Sequence, residues 1–191
     1  MNTNKKYQNL KEHLFTNNYA LIKNFISKER ALDISNEFMQ MVLVQETPET
    51  NALYNFLPSL ELLCEKTPLI SSIIGEYVLP TYTYTRQYKN SSKLKVHKDR
   101  GSCEITLSIH LDSDKQCDWP LWIKTPSGED KSILFENGDA VMYFGCDTFH
   151  WRDVYSGSWY NQTMIHYVTS NGKNSHRYFD LFDSLKSKNV N

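Results

Sequence analysis

The 191-residue chain has little net charge, few cysteines and no long apolar run. A formal charge of -1 supplies no global attraction for nucleic acid, so a duplex-binding role is disfavoured from the outset. Lys93, Lys95, Lys98 and Arg100 do cluster, so one groove can still be locally basic. Cys64, Cys103, Cys117 and Cys146 contain no CxxC pair, which removes the zinc-knuckle and thioredoxin-type readings. No apolar stretch approaches the length of a bilayer span. The polar start, MNTNKKYQNLKEHLF, has no signal-peptide core. Reduced thiols, no membrane contact and a cytoplasmic location are therefore expected.

What the chain has in abundance is aromatic residues: 12 Tyr, 9 Phe and 4 Trp. These favour strands and an aromatic-lined cavity. Tyr19–Ile26 reads as a strand. Ser27 is placed to cap a helix running to about Val44, with Ala31, Ile34, Phe38, Met41 and Val42 on one face. Gln45–Leu57 is expected to be a loop broken by Pro48. Two short helices are expected over Ser59–Lys66 and Leu69–Ile74, opened by Pro58 and Pro68. From Thr81 the period changes to two. Thr81–Tyr88, Leu94–Asp99, Glu104–Leu111, Leu121–Thr125, Ser132–Phe135, Ala140–Phe144, His150–Tyr155 and Thr163–Val168 each read as a strand. Helices first and about eight close-spaced strands after them predict an α+β, mainly β domain built as a sandwich or barrel. No repeat or linker divides the chain. A single domain over 1–191 is expected, with helical support to about residue 76, a β core over about 77–170 and a tail over 171–191. The end of that tail, Lys186–Asn191, is expected to be loose.

Within the β region, His97-Lys98-Asp99 puts an imidazole and a carboxylate two residues apart, on one face of an extended segment. His150 closes a later apolar strand. Two imidazoles and one carboxylate that leave coordination positions open form the facial set of non-haem Fe(II) oxygenases. A second His-x-Asp, His110-Leu111-Asp112, runs into a polar loop and reads as a strand histidine followed by a turn residue. His166 is expected to be a satisfied core histidine or a group orienting a co-substrate.

The order Tyr88, turn Asn90–Ser92, His97/Asp99, turn Gly138-Asp139, His150 resembles the 2-oxoglutarate- and Fe(II)-dependent oxygenases, particularly the prolyl-hydroxylase-like branch. That resemblance covers Thr81–Val168 and, with the preceding strand and helix, most of the chain. It implies a double-stranded β-helix (jelly-roll, cupin-like) core, with Fe(II) on His97, Asp99 and His150. 2-Oxoglutarate and oxygen would be co-substrates and ascorbate a supporting reductant. The implied reaction is hydroxylation of a C–H bond, in a peptidyl proline, another peptide side chain or a small molecule, with 2-oxoglutarate decarboxylated to succinate.

One feature departs from the family: Trp159–Val168, where relatives carry a basic clamp for the distal carboxylate of 2-oxoglutarate, has no Arg or Lys. Arg forks suit carboxylates best, so Arg152 is the first candidate, then Arg86 and Lys124, with Tyr88 and Gln162 as hydrogen-bonding partners. Arg100, Trp122 and Trp151 are candidates for a substrate entrance. An iron enzyme independent of 2-oxoglutarate and a non-catalytic cupin-like binding module stay open as alternatives.

Overall fold

A computed structural model describes residues 3–41, 43–114 and 117–179. The chain begins with helix α1 (Thr3–Asn17), which the sequence reading did not identify. Its signal was short but present: Tyr7, Leu10 and Leu14 recur at helical spacing, and Leu14 is fully buried in the main core. Strand β1 (Tyr19–Ile22) follows, shorter than expected. Ser27 then caps α2 (Lys28–Gln40), its hydroxyl accepting the Arg30 N–H at 3.1 Å. Ala31, Ile34 and Phe38 are buried as the stripe predicted, but the helix stops before Met41, which is exposed. Val42 lies outside the described residues.

The segment expected to be a loop is a hairpin of β2 (Val44–Thr47) and β3 (Thr50–Tyr54), turned at Pro48. Its formation is a tertiary effect. From Thr50 opposite Tyr88 to Tyr54 opposite Tyr84, β3 pairs with β4 (Val78–Lys89), which satisfies an otherwise open sheet edge.

The two helices expected around Pro68 are one, α3 (Leu57–Ile74). Proline removes one helical hydrogen bond, at a cost of about 3 kcal/mol. Leu62 and Leu63 before it, and Ile70 and Ile73 after it, are all buried in one core. Each is worth about 1.5–3 kcal/mol, so keeping the two half-stripes on one axis outweighs the loss. Near the break, the Leu63 carbonyl accepts from Thr67 Oγ1 at 2.9 Å and from the Tyr167 phenol at 2.7 Å.

The remaining strands are β5 (Leu94–His97), β6 (Ile105–Ser113), β7 (Leu121–Lys124), β8 (Asp130–Ile133), β9 (Ala140–Tyr143), β10 (His150–Arg152) and β11 (Trp159–Thr169). Among the described residues they form two sheets, ordered β1-β9-β6-β11-β4-β3-β2 and β5-β10-β7-β8. Every pairing is antiparallel, giving the expected double-stranded β-helix. The expected turn before β9 has Gly138 at φ +85, where a Cβ would approach Ile26 O to 2.5 Å. Only glycine fits there.

Alternation along the long strands sorts residues between two cores. Leu107, Ile109, Ile165 and Tyr167 face the helices, with Phe38 and Leu62. Tyr82, Tyr84, Arg86 and Tyr88 of β4, with Gln162, Met164 and His166 of β11, face the space between the sheets. No helix among the described residues is long and apolar enough to cross a membrane. Lys186–Asn191 lie outside the described residues.

Candidate metal centre

The site is built where β5 meets β10. His97, the last residue of β5, lies directly opposite His150, the first of β10. Because β5 stops at His97, strand alternation does not place Asp99. Its backbone N–H instead donates to Gly145 O at 2.8 Å, folding the chain back toward the two rings. Asp99 Oδ1 is 3.5 Å from His97 Nε2 and 3.6 Å from His150 Nε2, and the three donor atoms all lie within 4.8 Å of one another.

Both imidazoles turn their Nε2 atoms toward Asp99. His97 Nδ1 lies 2.8 Å from Lys95 O, and His150 Nδ1 lies 3.0 Å from Thr148 O. A carbonyl can only accept, so in the neutral rings the protons sit on Nδ1 and the Nε2 lone pairs face Asp99. Burial is graded: His150 is 2% exposed, while His97 is partly open to solvent. Two nitrogens and one carboxylate oxygen on one side of a cation match the donor set of a facial iron site.

Electrostatics agree. Burial alone would raise the Asp99 carboxyl, but the His97 hydrogen bond and the His150 and His166 fields leave it below its ordinary value. The bond to Asp99 raises His97 despite burial, whereas burial lowers His150. Burial also pushes His166 and His110 down to about 4, so both are neutral at physiological pH.

His97, Asp99 and His150 open into a cavity of about 180 Å³. Tyr88 and Gln162, both predicted from sequence, line it, and Gln162 Nε2 donates to the Tyr88 phenol at 3.3 Å. Arg86 also lines it, lying over the Tyr84 and Tyr88 rings and pairing with Glu46 of the β2–β3 hairpin at 3.3 Å.

Arg152 sits one layer behind. It is 1% exposed, donates to Gln162 Oε1 at 3.0 Å and to Trp119 O, and lies over the rings of Trp119, Phe135 and Tyr160. No carboxylate among the described residues pairs with it. Lys124 is a correction to the sequence expectation. On β7, Leu121 and Ile123 point inward, so Lys124 points outward, where its Nζ meets Asp130 at 2.5 Å. Trp122 and Trp151 likewise stack on one another on the outer face, 5.9 Å apart, and are not at the cavity. Arg100 lies over the Tyr82 ring, at the cavity wall.

Several cavity residues were missed: Ser108, Tyr143, Met164, and Thr106 just behind Asp99. A signal existed for two of them. In Ile105–Leu111 the residues Thr106, Ser108 and His110 share one strand face while Ile105, Leu107, Ile109 and Leu111 share the other, which marks a polar inward face.

No protein-family model and no curated protein matches the chain. Solved structures do. HygX from Streptomyces hygroscopicus, with nickel and 2-oxoglutarate bound, is similar over 86% of this chain and 87% of its own, at TM-score 0.72 and 10% identity. A prolyl-4-hydroxylase from Pseudomonas putida covers 85% of this chain and 98% of its own, at TM-score 0.71 and 12% identity. The fold is that of the 2-oxoglutarate- and Fe(II)-dependent oxygenases. An oxidoreductase of that family from Burkholderia pseudomallei gives the same result, with 88% and 92% coverage, TM-score 0.74 and 10% identity. In this oxygenase fold, the present chain offers a His-Asp-His set at the junction of β5 and β10 and a neutral or cationic wall opposite it.

Proposed function

We propose that the chain is an Fe(II)- and 2-oxoglutarate-dependent oxygenase that hydroxylates a C–H bond of a peptide side chain, an amino acid or another small molecule. The observation that carries this reading is the convergence of His97 Nε2, His150 Nε2 and Asp99 Oδ1, with both histidine tautomers set by backbone carbonyls. Bound there, ferrous iron would supply oxygen activation coupled to decarboxylation of 2-oxoglutarate to succinate and carbon dioxide.

The chain's own residues supply the rest. Arg152 carries a buried positive charge with only neutral acceptors around it, and buried charges are ordinarily matched. It follows His150 by two residues on β10, a strand rise of about 6.6 Å, which suits a short dicarboxylate reaching from the metal. In this reading Gln162 Oε1 holds the place on Arg152 that the distal carboxylate takes, and Tyr88 donates a further hydrogen bond. Arg86 adds positive field from the opposite strand. The Tyr143 ring, packed 4.6 Å from His150, helps exclude water from the metal side.

At about 180 Å³ the cavity is smaller than the roughly 300–1,000 Å³ of drug-sized sites. It suits the co-substrate and the reacting group of a substrate whose body stays outside, beside the exposed Tyr54. A peptidyl proline or another peptide side chain fits that description. So does a larger small molecule; HygX has also been seen with hygromycin B bound. Oxygen is the second co-substrate of this reading, and ascorbate a reductant that keeps the iron ferrous. Four free thiols suit a reducing compartment such as the cytoplasm.

The test is an anaerobic titration of Fe(II)-loaded protein with 2-oxoglutarate. A visible charge-transfer band that is lost in His97→Ala and His150→Ala, with oxygen-dependent succinate on admitting air, is the expected result. Iron binding without a band would point instead to an iron enzyme that does not use 2-oxoglutarate.

A further inference from the structure

We propose that Thr106 and His166 are positioning residues that hold Asp99 to a single metal bond and so keep three positions of an octahedral ion open. This rests on the metal-binding reading above and concerns which oxygen of Asp99 reaches the ion.

The two oxygens of Asp99 have different surroundings. Oδ1 faces both imidazoles, at 3.5 and 3.6 Å. Oδ2 is turned away from them and engaged by Thr106 Oγ1 at 3.1 Å. It is also packed against Gly145, where a Cβ would collide with Oδ2 and with Cys103 O. Since Gly145 O also accepts the Asp99 N–H, the same residue fixes the main chain and shields the outer oxygen.

Proton counting gives the direction of each bond. The Thr106 hydroxyl has one proton and three polar neighbours: Asp99 Oδ2 at 3.1 Å, Cys103 O at 3.3 Å and His166 Nδ1 at 3.0 Å. The carbonyl and a metal-binding carboxylate only accept. The imidazole is therefore the neighbour that can donate, and His166 Nδ1–H fills a lone pair of Thr106 while the hydroxyl proton turns to the oxygens. The charged oxygen is both the nearer and the stronger acceptor.

Solvent has little access to these bonds. Thr106 is fully buried, His166 is 5% exposed, and the His166 ring is held against Tyr82 with centroids 4.5 Å apart. The pairing is also built into the sheet, since His166 of β11 and Thr106 of β6 are directly opposite one another.

The consequence is a count of coordination positions. A carboxylate bound through both oxygens would, with two imidazoles, leave two positions of six. Bound through Oδ1 alone it leaves three, enough for a two-point chelate and one further small ligand.

The experiment uses Co(II) as the probe ion. Wild type, Thr106→Val, Thr106→Ser and His166→Phe are titrated with Co(II), their visible spectra recorded, and the Co(II) forms titrated with 2-oxoglutarate by calorimetry. Thr106→Val keeps the shape and removes the hydroxyl. It is expected to retain one Co(II) per chain, change the ligand-field bands, and bind 2-oxoglutarate about 10–100-fold more weakly, the usual size of an outer-shell change. Thr106→Ser is expected to restore both readouts. His166→Phe, which keeps a ring on Tyr82, should shift them the same way by less. If Thr106→Val folds and matches wild type in spectrum and affinity, the proposal is overturned. If it does not fold, an unchanged His166→Phe overturns it and a shifted one supports it. Wild type that binds no Co(II) overturns the metal reading along with this one, whereas wild type that binds Co(II) with altered spectra only in the variants supports both.

Discussion

At one end of the cavity a carboxylate, Asp99, lies among imidazoles; behind the other a guanidinium, Arg152, lies among aromatic rings. Both charges are largely withdrawn from water, and among the described residues Asp99 pairs with no Lys or Arg and Arg152 with no carboxylate. Asp99 has two imidazole nitrogens beside it, which present lone pairs once the rings are neutral, the donor set that the proposed function gives to a cation. Arg152 donates only to neutral amide and phenol oxygens there, and the proposed function assigns its charge to an anionic co-substrate. The contrast with Lys23 and Asp139, which simply pair at 2.7 Å, is instructive. There the chain supplies the partner; on the proposed function, the partner at each end of the cavity is a ligand.

Removing the negative end should have the largest effect. Asp99→Ala is expected to weaken Fe(II) or Co(II) binding by more than the about 100-fold upper range of outer-shell changes, measured by titration under anaerobic conditions. Unchanged binding would dissolve the comparison. Removing the positive end with Arg152→Met should weaken 2-oxoglutarate by about 2–5 kcal/mol, read by calorimetry on the metal-loaded protein. The melting temperature of the metal-free chain should not fall, because an apolar side chain replaces a buried charge without a counter-ion. If affinity is unchanged and Arg86→Met lowers it, the anion end belongs to Arg86.

Proton competition sharpens the negative end. Asp99 raises His97 above its ordinary value, so in the metal-free protein that ring holds its proton to higher pH than a free imidazole. Metal must displace the proton, and its apparent affinity should therefore rise by about tenfold per pH unit up to that raised value and then level off. A plateau already reached below the ordinary histidine range would contradict the assigned pairing. A smaller effect is expected at Arg86. Glu46→Gln frees its guanidinium from a partly exposed pair, and should tighten 2-oxoglutarate by no more than about 1 kcal/mol. Lys124→Ala should leave co-substrate affinity unchanged, since its partner is Asp130 on the outer face.

How much of this was legible beforehand follows the range of the forces involved. His97, Asp99 and His150 could be picked out because a His-x-Asp at a strand end and a distal strand histidine are short patterns set on period-two alternation. The Ser27 cap and the Gly138 turn were legible for the same reason: each is a local demand of the backbone on one residue type. The hairpin Val44–Tyr54 was not legible, since its strands are held by the edge of β4 thirty residues or so further on. Pro68 was misread as a boundary because the local rule is outweighed by packing on either side of it.

The amino-acid order alone determined the class of the fold, the choice of His97, Asp99 and His150 as the candidate metal set, and the absence of Arg and Lys from Trp159–Val168. Only tertiary structure decided how charge is distributed around the cavity. It put Arg152 behind Gln162, set Arg86 on the wall paired with Glu46, turned Lys124 outward, and brought Thr106 to the far oxygen of Asp99 and His166 to Thr106. The physical reason is that alternation says which face a side chain takes, while the pairing of strands far apart in the chain says which other side chains it meets there.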